Sequence, residues 1–387
     1  MTAVWTSRQR VEAALNHREP DRVPLSMTIT EVPYVRLREH IGLPPDEGMR
    51  PNRFGEVEPG IDLLAALGFD TASIKLRAPD VNIAPSDKLD GIVFDEWGVG
   101  RKQIDLADGS FLLEVCHSPF EGMHPEEIDL DAYPWPDPAD PGRVRGLAEE
   151  TRQKYENTQL AYIGRFGGTI MELASFLRGY ECWMMDLALY PDFACALMNR
   201  IADIQMALDE AGIREAGRYL SIFKLSGEDL GMQDRPLFSQ KVWQQVLRPV
   251  LSRRWRAARR ALDRHGASHV KLMLHSDGAI RSFIPDLIAE GVDVLDPIQT
   301  GCAGMGVEGL KQDFGADLVF HGGIDAQGVL PFGSPEEVAA EVKRVIRAMG
   351  PGGGLIVGPV HNVQPDVLPE NIAAMCRAVF EYGGYPL

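Results

Sequence analysis

The chain has 387 residues, of which 45% are hydrophobic, so it can bury a large core. Its 56 acidic residues outnumber 39 Lys and Arg, and the formal net charge of -17 argues against nucleic acid as a partner. No apolar run is long enough for a membrane span, and the first residues lack the apolar region of a signal peptide. Five cysteines without metal-ligand spacing fit a reducing compartment. We therefore expect a cytoplasmic protein with no membrane partner.

The N-terminal part of the chain predicts a helix and, further on, an insertion. Thr6 or Ser7 can cap the first helix, because either hydroxyl can accept a hydrogen bond from a free backbone N–H. Residues from about 90 to 118 differ from the rest, since two strand-like runs flank the turn dipeptide Asp108-Gly109. This region is predicted to be an antiparallel β-hairpin inserted into the main fold.

Outside the insertion, apolar strands alternate with helices. The predicted strands cover residues 23–27, 71–75, 160–164, 220–225, 270–274, 292–295, 318–320 and 355–357. The predicted helices cover about 176–216, 239–264 and 280–289, and two more begin at Ser334 and Pro369. About eight strands with helices between them predict an α/β fold, a (β/α)8 TIM barrel that forms a single domain over residues 1–387. The alternative, an open doubly wound sheet, needs a glycine-rich phosphate loop after an early strand, but the glycines at 352–354 precede a strand.

Two short strings at predicted strand ends carry the clearest chemistry. His275-Ser276-Asp277-Gly278 follows the run 270–274, and His361-Asn362 follows a later apolar run. Strand ends of a barrel open at the same mouth, where active sites are built. Imidazole nitrogen and carboxylate oxygen suit zinc or another divalent metal. We predict that His275, Asp277 and His361 bind this metal, with Glu228 as a further candidate. The alternative is that His275 bonds Asp277 or a backbone carbonyl and only shapes the turn.

Other polar residues just past predicted strands are catalytic or substrate-binding candidates. Glu228 and Asp229 form a carboxylate pair, and one member held protonated would serve as a general acid. A helix cap or a solvated turn is the alternative for this pair. His361 is the third catalytic candidate. The substrate-binding candidates are Gln233, Gly278, His321, Gly323, Asp325 and Asn362.

Three of these candidates also have a structural interpretation. Gly278 precedes a predicted helix whose free N–H groups could hold an anionic substrate group, or it only permits a tight turn. Asp325 follows two glycines that allow the backbone to approach the mouth, or it caps a helix. For His321 we favour a core histidine at a strand end over a ligand-binding role.

At these residues the chain resembles the uroporphyrinogen decarboxylase-like superfamily. That group contains the heme-pathway decarboxylase and zinc-dependent methyltransferases that act with corrinoid proteins or coenzyme M. The resemblance is carried by residues 10–24, 227–231, 275–278, 322–325 and 361–366. It implies a (β/α)8 barrel, in agreement with the strand count, and it is compatible with a homodimer.

The chain departs from both branches of this superfamily. The decarboxylase carries an arginine- and glycine-rich loop after its first strand, whereas residues 26–31 contain no arginine and add Glu31. This argues against a polycarboxylate tetrapyrrole as substrate. The methyltransferases hold zinc between a His-x-Cys string and a later cysteine. Here Asp277 stands at the first cysteine position and His361 lies near the second, so a bound zinc would be more Lewis acidic.

Our leading hypothesis is a small-molecule enzyme that transfers methyl groups with the help of a bound metal. A corrinoid protein as partner follows from the resemblance alone. The second hypothesis is a metal-free lyase that decarboxylates a small organic acid, with His361 and Asp229 handling protons. The third is a barrel that binds a ligand without catalysis.

Overall fold

The computed structural model describes residues 5–52, 55–81, 91–105 and 111–387. The strands are β1 Ile29–Thr30, β2 Glu56–Val57, β3 Thr71–Lys75, β4 Ile92–Phe94, β5 Gly100–Asp105, β6 Phe111–His117, β7 Ala161–Arg165, β8 Ile222–Gly227, β9 Lys271–His275, β10 Val294–Asp296, β11 Val319–Ile324 and β12 Leu355–Pro359. Within these ranges, no helix has both the length and the apolar character that crossing a bilayer requires.

Helices follow most of the strands. They are α1 Ser7–Leu15, α2 Glu31–His40, α3 Ile61–Leu67, α4 Leu147–Asn157, α5 Met171–Arg178, α6 Tyr180–Leu189, α7 Pro191–Ala216, α8 Gln240–Val242, α9 Arg248–Arg264, α10 Ile284–Ala289, α11 Val307–Phe314, α12 Val329–Phe332, α13 Pro335–Met349 and α14 Pro369–Tyr382. Single turns of 3-10 helix lie at Pro125–Glu127, Pro141–Val144, Gly217–Tyr219 and Arg281–Phe283, and a π-helical turn lies at Trp243–Leu247.

Seven parallel strands form the main sheet in the order β12-β11-β10-β9-β8-β7-β3. The segment around Leu25 occupies the gap between the two edges. Leu25 pairs in parallel with Val357 of β12, and its carbonyl accepts a hydrogen bond from Asp70 N, just before β3. The predicted (β/α)8 barrel is therefore confirmed. The predicted strand at 23–27 is reduced to this isolated bridge.

The interior of the barrel explains why the site lies at one end. Inward-facing residues of the strands, including Ile163, Ile222 and Met273, form an apolar cluster with Val11 and Leu15 of α1. Helix α1 contacts the chain just before β7 and β12, where Arg8 N donates to Gln159 O and Gly354 N donates to Ala14 O. The helix thus closes the N-terminal end of the barrel. The carboxyl ends of the strands remain open, as in barrels that carry a site there.

Local sequence signals mark several helix starts. Thr6 caps α1 in a capping box with Gln9, and Ser334 caps α13 in the same way, as predicted. The predicted helix at 239–264 begins correctly after Ser239, but a π-helical turn interrupts it before α9. The predicted helix at 280–289 begins with a 3-10 turn.

The inserted region is a three-stranded antiparallel sheet, in which β5 pairs with β4 and β6. The first of the two strand-like runs predicted for this region, residues 91–98, forms a strand only as far as Phe94. The reason is local, because the Asp95 carboxylate accepts from Trp97 N and Val99 N and so turns the chain back. The predicted turn at Asp108-Gly109 lies outside the described residues.

Candidate active site at the barrel mouth

The carboxyl ends of the strands surround a cavity of about 590 Å³. Four residues predicted for the site line it, namely Asp229, His275, His361 and Asn362. The other walls come from the loop after β7, from the end of β8 and from the inserted sheet. A cavity of this size suits a small organic molecule.

His275, Asp277 and His361 converge on one point beside this cavity. The Nε2 atom of His275 lies 3.3 Å from Oδ2 of Asp277, and Nε2 of His361 lies 3.8 Å from the same oxygen. One ligand atom from each residue lies within 4.8 Å of the other two. Ligand atoms about 2.0–2.2 Å from a tetrahedral zinc lie roughly 3.3–3.6 Å apart, so the three side chains fit a metal with only small adjustments.

Asp296 orients His275 from behind. Its Oδ2 accepts from Nδ1 of His275 at 3.0 Å and from Nζ of Lys224 at 2.6 Å, and its Oδ1 accepts from Nδ1 of His321 at 2.7 Å. Nδ1 of His275 carries the proton of this bond, and Nε2, on the other side of the ring, faces Asp277. A carboxylate behind a histidine is the arrangement that fixes metal-binding histidines.

The charges of this network reinforce each other. Burial by itself would raise the pKa of Asp296, but the positive charge of Lys224 and hydrogen bonds from both histidines hold it well below its usual range. Burial and Lys224 oppose protonation of His275, yet hydrogen bonds to Asp277 and Asp296 outweigh them and raise its pKa to about 9. Asp296 is therefore a permanent negative charge under the site.

Three cationic side chains lie side by side on neighbouring strands. Lys75 at the end of β3 is paired in register with Arg165 at the end of β7, and the pairing of Gly164 with Phe223 places Arg165 beside Lys224. All three line a recess of about 260 Å³, which shares Arg165 and Lys224 with the main cavity. This row places three cationic side chains on one side of the mouth.

Glu56 holds part of this row in place. It is only 3% exposed, and it forms ion pairs with Arg165 and, at 3.8 Å, with Lys75. Burial by itself would raise the pKa of Glu56, but the charges of Arg165 and Lys75 lower it to about 2. The carboxylate is therefore ionised throughout the physiological range.

Glu228 does not face the cavity. It is 1% exposed, and its two oxygens accept hydrogen bonds from Ile170 N at 2.6 Å and Met171 N at 2.8 Å, at the start of α5. Burial outweighs these bonds and raises the pKa of Glu228 to about 8. The structure therefore supports the helix-cap alternative and gives this residue no access to a substrate or a metal. Asp229, its neighbour, is exposed in the cavity, and its Oδ1 accepts from Asp277 N at 3.2 Å.

Gly278, Gly323 and Asp325 make contacts that fit a structural role. Gly278 has φ +90, its N–H donates to Gln299, and an added Cβ would lie 2.3 Å from Gly231 C, so it serves the tight turn and offers no free donor to an anion. Gly323 is buried against Ile298. Asp325 accepts from three backbone N–H groups in the turn that leads into α12, which is close to the cap interpretation.

His321 and Gln233 also lie away from the cavity. His321 sits behind Asp296, as the favoured core interpretation predicts, and within the described chain its Nε2 atom is buried without a hydrogen-bond partner. Gln233 donates to Gln327 at 2.9 Å and accepts from the Cys302 thiol at 3.0 Å, so it links two loops. Neither residue lines the cavity wall.

Sequence reasoning missed Lys224, Arg165, Glu56 and Lys75 as site residues and gave Asp296 no role. A signal existed for Lys224, because a lysine inside the apolar run 220–225 needs a buried partner. No comparable signal pointed to Glu56, which belongs to a two-residue strand.

Fold and site together define a (β/α)8 barrel with ionisable groups gathered at the carboxyl ends of its strands. Residues 121–382 match the family model described as uroporphyrinogen decarboxylase (URO-D). The chain belongs to this family.

Individual relatives agree with this assignment. The uroporphyrinogen decarboxylase of Magnetococcus marinus is 27% identical over 263 residues, which cover 66% of this chain and 68% of that protein. The uroporphyrinogen decarboxylase of Alcanivorax borkumensis is 23% identical over 393 residues, covering 98% and 99%. A solved structure, a methyltransferase from Methanosarcina mazei, has a TM-score of 0.64 at 19% identity and covers 98% of this chain and 99% of that one. This likeness supports the barrel fold.

Proposed function

We propose that the protein is a metal-dependent methyltransferase that acts on small molecules within the URO-D family. The observation that carries the proposal is the convergence of His275, Asp277 and His361 on one point beside the cavity. Their nitrogen and oxygen donors suit zinc or another divalent metal, which when bound would polarise a methyl donor or acceptor as a Lewis acid. A structural neighbour named as a methyltransferase supports the proposal at the level of the fold.

The residues around this point have separate tasks. Asp296 holds His275 in the orientation that presents Nε2. Asp229 is exposed to the cavity with Oδ1 4.0 Å from Nε2 of His275, so it can give or take a proton at the heteroatom that loses or gains the methyl group. A corrinoid protein as methyl carrier and a homodimeric assembly remain proposals that come from the resemblance.

To test this proposal, the purified protein is incubated with free cob(I)alamin as methyl acceptor and with a panel of N-, O- and S-methylated compounds as donors. The corrinoid absorbance reports methyl transfer. We expect turnover with at least one compound, loss of turnover after chelation, and recovery with zinc. Asp277→Ala should abolish turnover, whereas Asp313→Ala, an exposed partner of Arg281, should not change it. No turnover with any compound, or turnover that survives chelation, would contradict the proposal.

A second candidate is decarboxylation of a small organic acid. It is favoured by the name that the curated relatives share and by the exposure of both Asp229 and His361 in the cavity. In this case one of the two side chains would donate the single proton that the carbanion needs after loss of carbon dioxide. Release of carbon dioxide from a panel of organic acids, unaffected by chelators, would identify this activity.

A further inference from the structure

We propose that the cavity takes a small organic anion with an apolar body, whose anionic group binds among Lys75, Arg165 and Lys224 and whose body packs against the inserted sheet. The inference names the substrate class for the site described above and rests on the proposed function for the reaction that occurs there. It depends on two walls of the mouth that differ in chemistry.

The first wall is a recess in which the only charged side chains, among the described lining residues, are cationic. It is lined by Lys75, Arg165, Lys224 and Ser226, together with Asn52 and the start of the loop after β7. No carboxylate is among the described residues that line it. The recess shares Arg165, Lys224 and Ser226 with the main cavity, so a ligand in the cavity can extend a group into it.

The partners of the cations leave the positive charge facing the recess. Glu56 and Asp296, which pair with Arg165 and Lys224, are both buried, and Lys75 pairs with the partly exposed Glu58. None of these three carboxylates lines the recess. Arg165 has five N–H groups, and one on Nη1 donates to Glu56. A carboxylate or phosphate in the recess would therefore meet donors whose charge is already held in position, which lowers the cost of binding.

The backbone conformation at the end of β8 supports a preformed binding site in the recess. Ser226 has φ +71, a left-handed conformation that is unfavourable in free energy for any residue other than glycine. It lines both the recess and the main cavity. The register of β8 against β9 shifts between Lys224 and Gly227 to accommodate it. Bulges of this kind re-aim side chains next to sites.

The floor of the recess is held by buried side chains. Asp209 accepts from Gly167 N at 2.8 Å, Gln205 accepts from Gly168 N at 2.6 Å, and the Arg254 guanidinium donates to Gly168 O and pairs with Asp209. These groups are all buried. The loop that follows Arg165 is therefore fixed before any ligand arrives.

The second wall is apolar and comes from the insertion. Ile104, Phe111 and Leu113 of β5 and β6 line the main cavity. Ile104 is 39% exposed, although it is a large aliphatic residue. Apolar side chains that remain accessible at the rim of a polar cavity are typical of a ligand-binding surface. The body of the ligand would bury them.

The test measures the binding of four probes by calorimetry. Cyclohexanecarboxylate and cyclohexyl phosphate carry an anionic group and an apolar body, cyclohexylmethanol is the neutral match, and acetate lacks the body. We expect at least one of the two anionic cyclohexyl probes to bind at least tenfold tighter than both the alcohol and acetate. The tighter of the two identifies the anionic group as carboxylate or phosphate.

Matched variants test how much each wall contributes to the binding affinity. Lys75→Met should weaken binding of the better anion at least fivefold and leave the alcohol unchanged, whereas Arg77→Met, at an exposed pair with Glu150, should change neither. Leu113→Asn should weaken both ligands, and Val93→Asn, on the same sheet but 66% exposed and outside the cavity lining, should not. Circular dichroism checks that each variant is folded.

Equal affinity for the anion and the alcohol in the unmodified protein, or an anion affinity that Lys75→Met does not change, would overturn the inference. The same samples are analysed for bound metal, which keeps the two proposals apart. Metal without a preference for anions contradicts only the substrate class. A preference for anions without metal contradicts only the metal-dependent function.

Discussion

Asp296 is the residue that connects the two halves of the site. Its carboxylate accepts hydrogen bonds from Lys224 of the cationic row and from His275 of the candidate metal centre, and it is buried between them. The histidines at 275 and 361 were predictable, because each directly follows or ends an apolar strand. The role of Asp296 was not, since its contacts join three strands that are far apart in sequence.

Replacing Asp296 should weaken metal binding without removing a ligand. In Asp296→Asn the amide cannot accept from both His275 and Lys224 as a charged group does, so His275 loses its fixed orientation. We expect the dissociation constant for zinc to rise about 10–100-fold. Calorimetric titration of the metal-free protein measures it, with the exposed Asp313→Asn as control. An unchanged constant in Asp296→Asn would show that the carboxylate does not position the ligand.

The Glu56 carboxylate should make stability depend on acid pH. Its pKa falls from an ordinary value of 4.5 to about 2 in the folded protein, so its contribution is complete above pH 4.5 and disappears as the pH falls toward 2. The difference corresponds to about 3 kcal/mol. Urea unfolding of the unmodified protein and of Glu56→Gln should therefore differ most near pH 6, and the gap should shrink below pH 4.5. A gap that stays constant from pH 6 to pH 3 would contradict the shift.

At the scale of elements, apolar runs located the strands well. The prediction of 71–75 for β3 is exact, and β7, β8, β9 and β10 are displaced by one or two residues toward the C-terminus. β11 and β12 extend four and two residues beyond their predicted ends, and the predicted strand at 23–27 contains only an isolated bridge. The π-helical turn before α9 and the register shift in β8 were not predictable, because both depend on side chains from other elements. The insertion was predicted from two strand-like runs on either side of a turn dipeptide, but the turn at Asp95 ends the first of these strands early.

The turn after β9 should not tolerate a side chain. Gly278 has φ +90, and an added Cβ would meet the Gly231 backbone at 2.3 Å, whereas Gly291 has φ +88 with nothing within 4 Å. Gly291→Ala should cost about 1–2 kcal/mol from the left-handed conformation alone. Gly278→Ala should cost about 2–4 kcal/mol more, because the backbone must move. Equal urea midpoints for the two variants would refute the close approach.

The whole barrel is closed by ionic contacts near its N-terminal end. The buried Asp70 carboxylate accepts from Arg10, Arg22 and the Leu25 backbone N–H, and so ties the first segment of the chain to the start of β3. Both arginines lie in the stretch 10–24, which carries part of the family resemblance. In this structure that stretch has a structural role, since it completes the ring.

Removing the charge of Asp70 should destabilise the whole molecule. Asp70→Asn leaves two buried guanidinium groups without their shared carboxylate, for which we expect a loss of about 3–5 kcal/mol in the free energy of unfolding. Asp21 also pairs with Arg10 but is more exposed, so Asp21→Asn should cost about 0–1 kcal/mol. Denaturant unfolding compares them. Similar losses would mean that Asp70 does not close the barrel.

The central claim is that His275 and Asp277 bind one metal at the mouth together with His361, which is distant from them in sequence. Elemental analysis of the purified protein after incubation with zinc and removal of free metal tests it most directly. We predict about one zinc per chain in the unmodified protein and in Asp313→Ala, and a large loss in His275→Ala, Asp277→Ala and His361→Ala. Equal metal content in all five proteins, or no metal in any of them, would contradict the account.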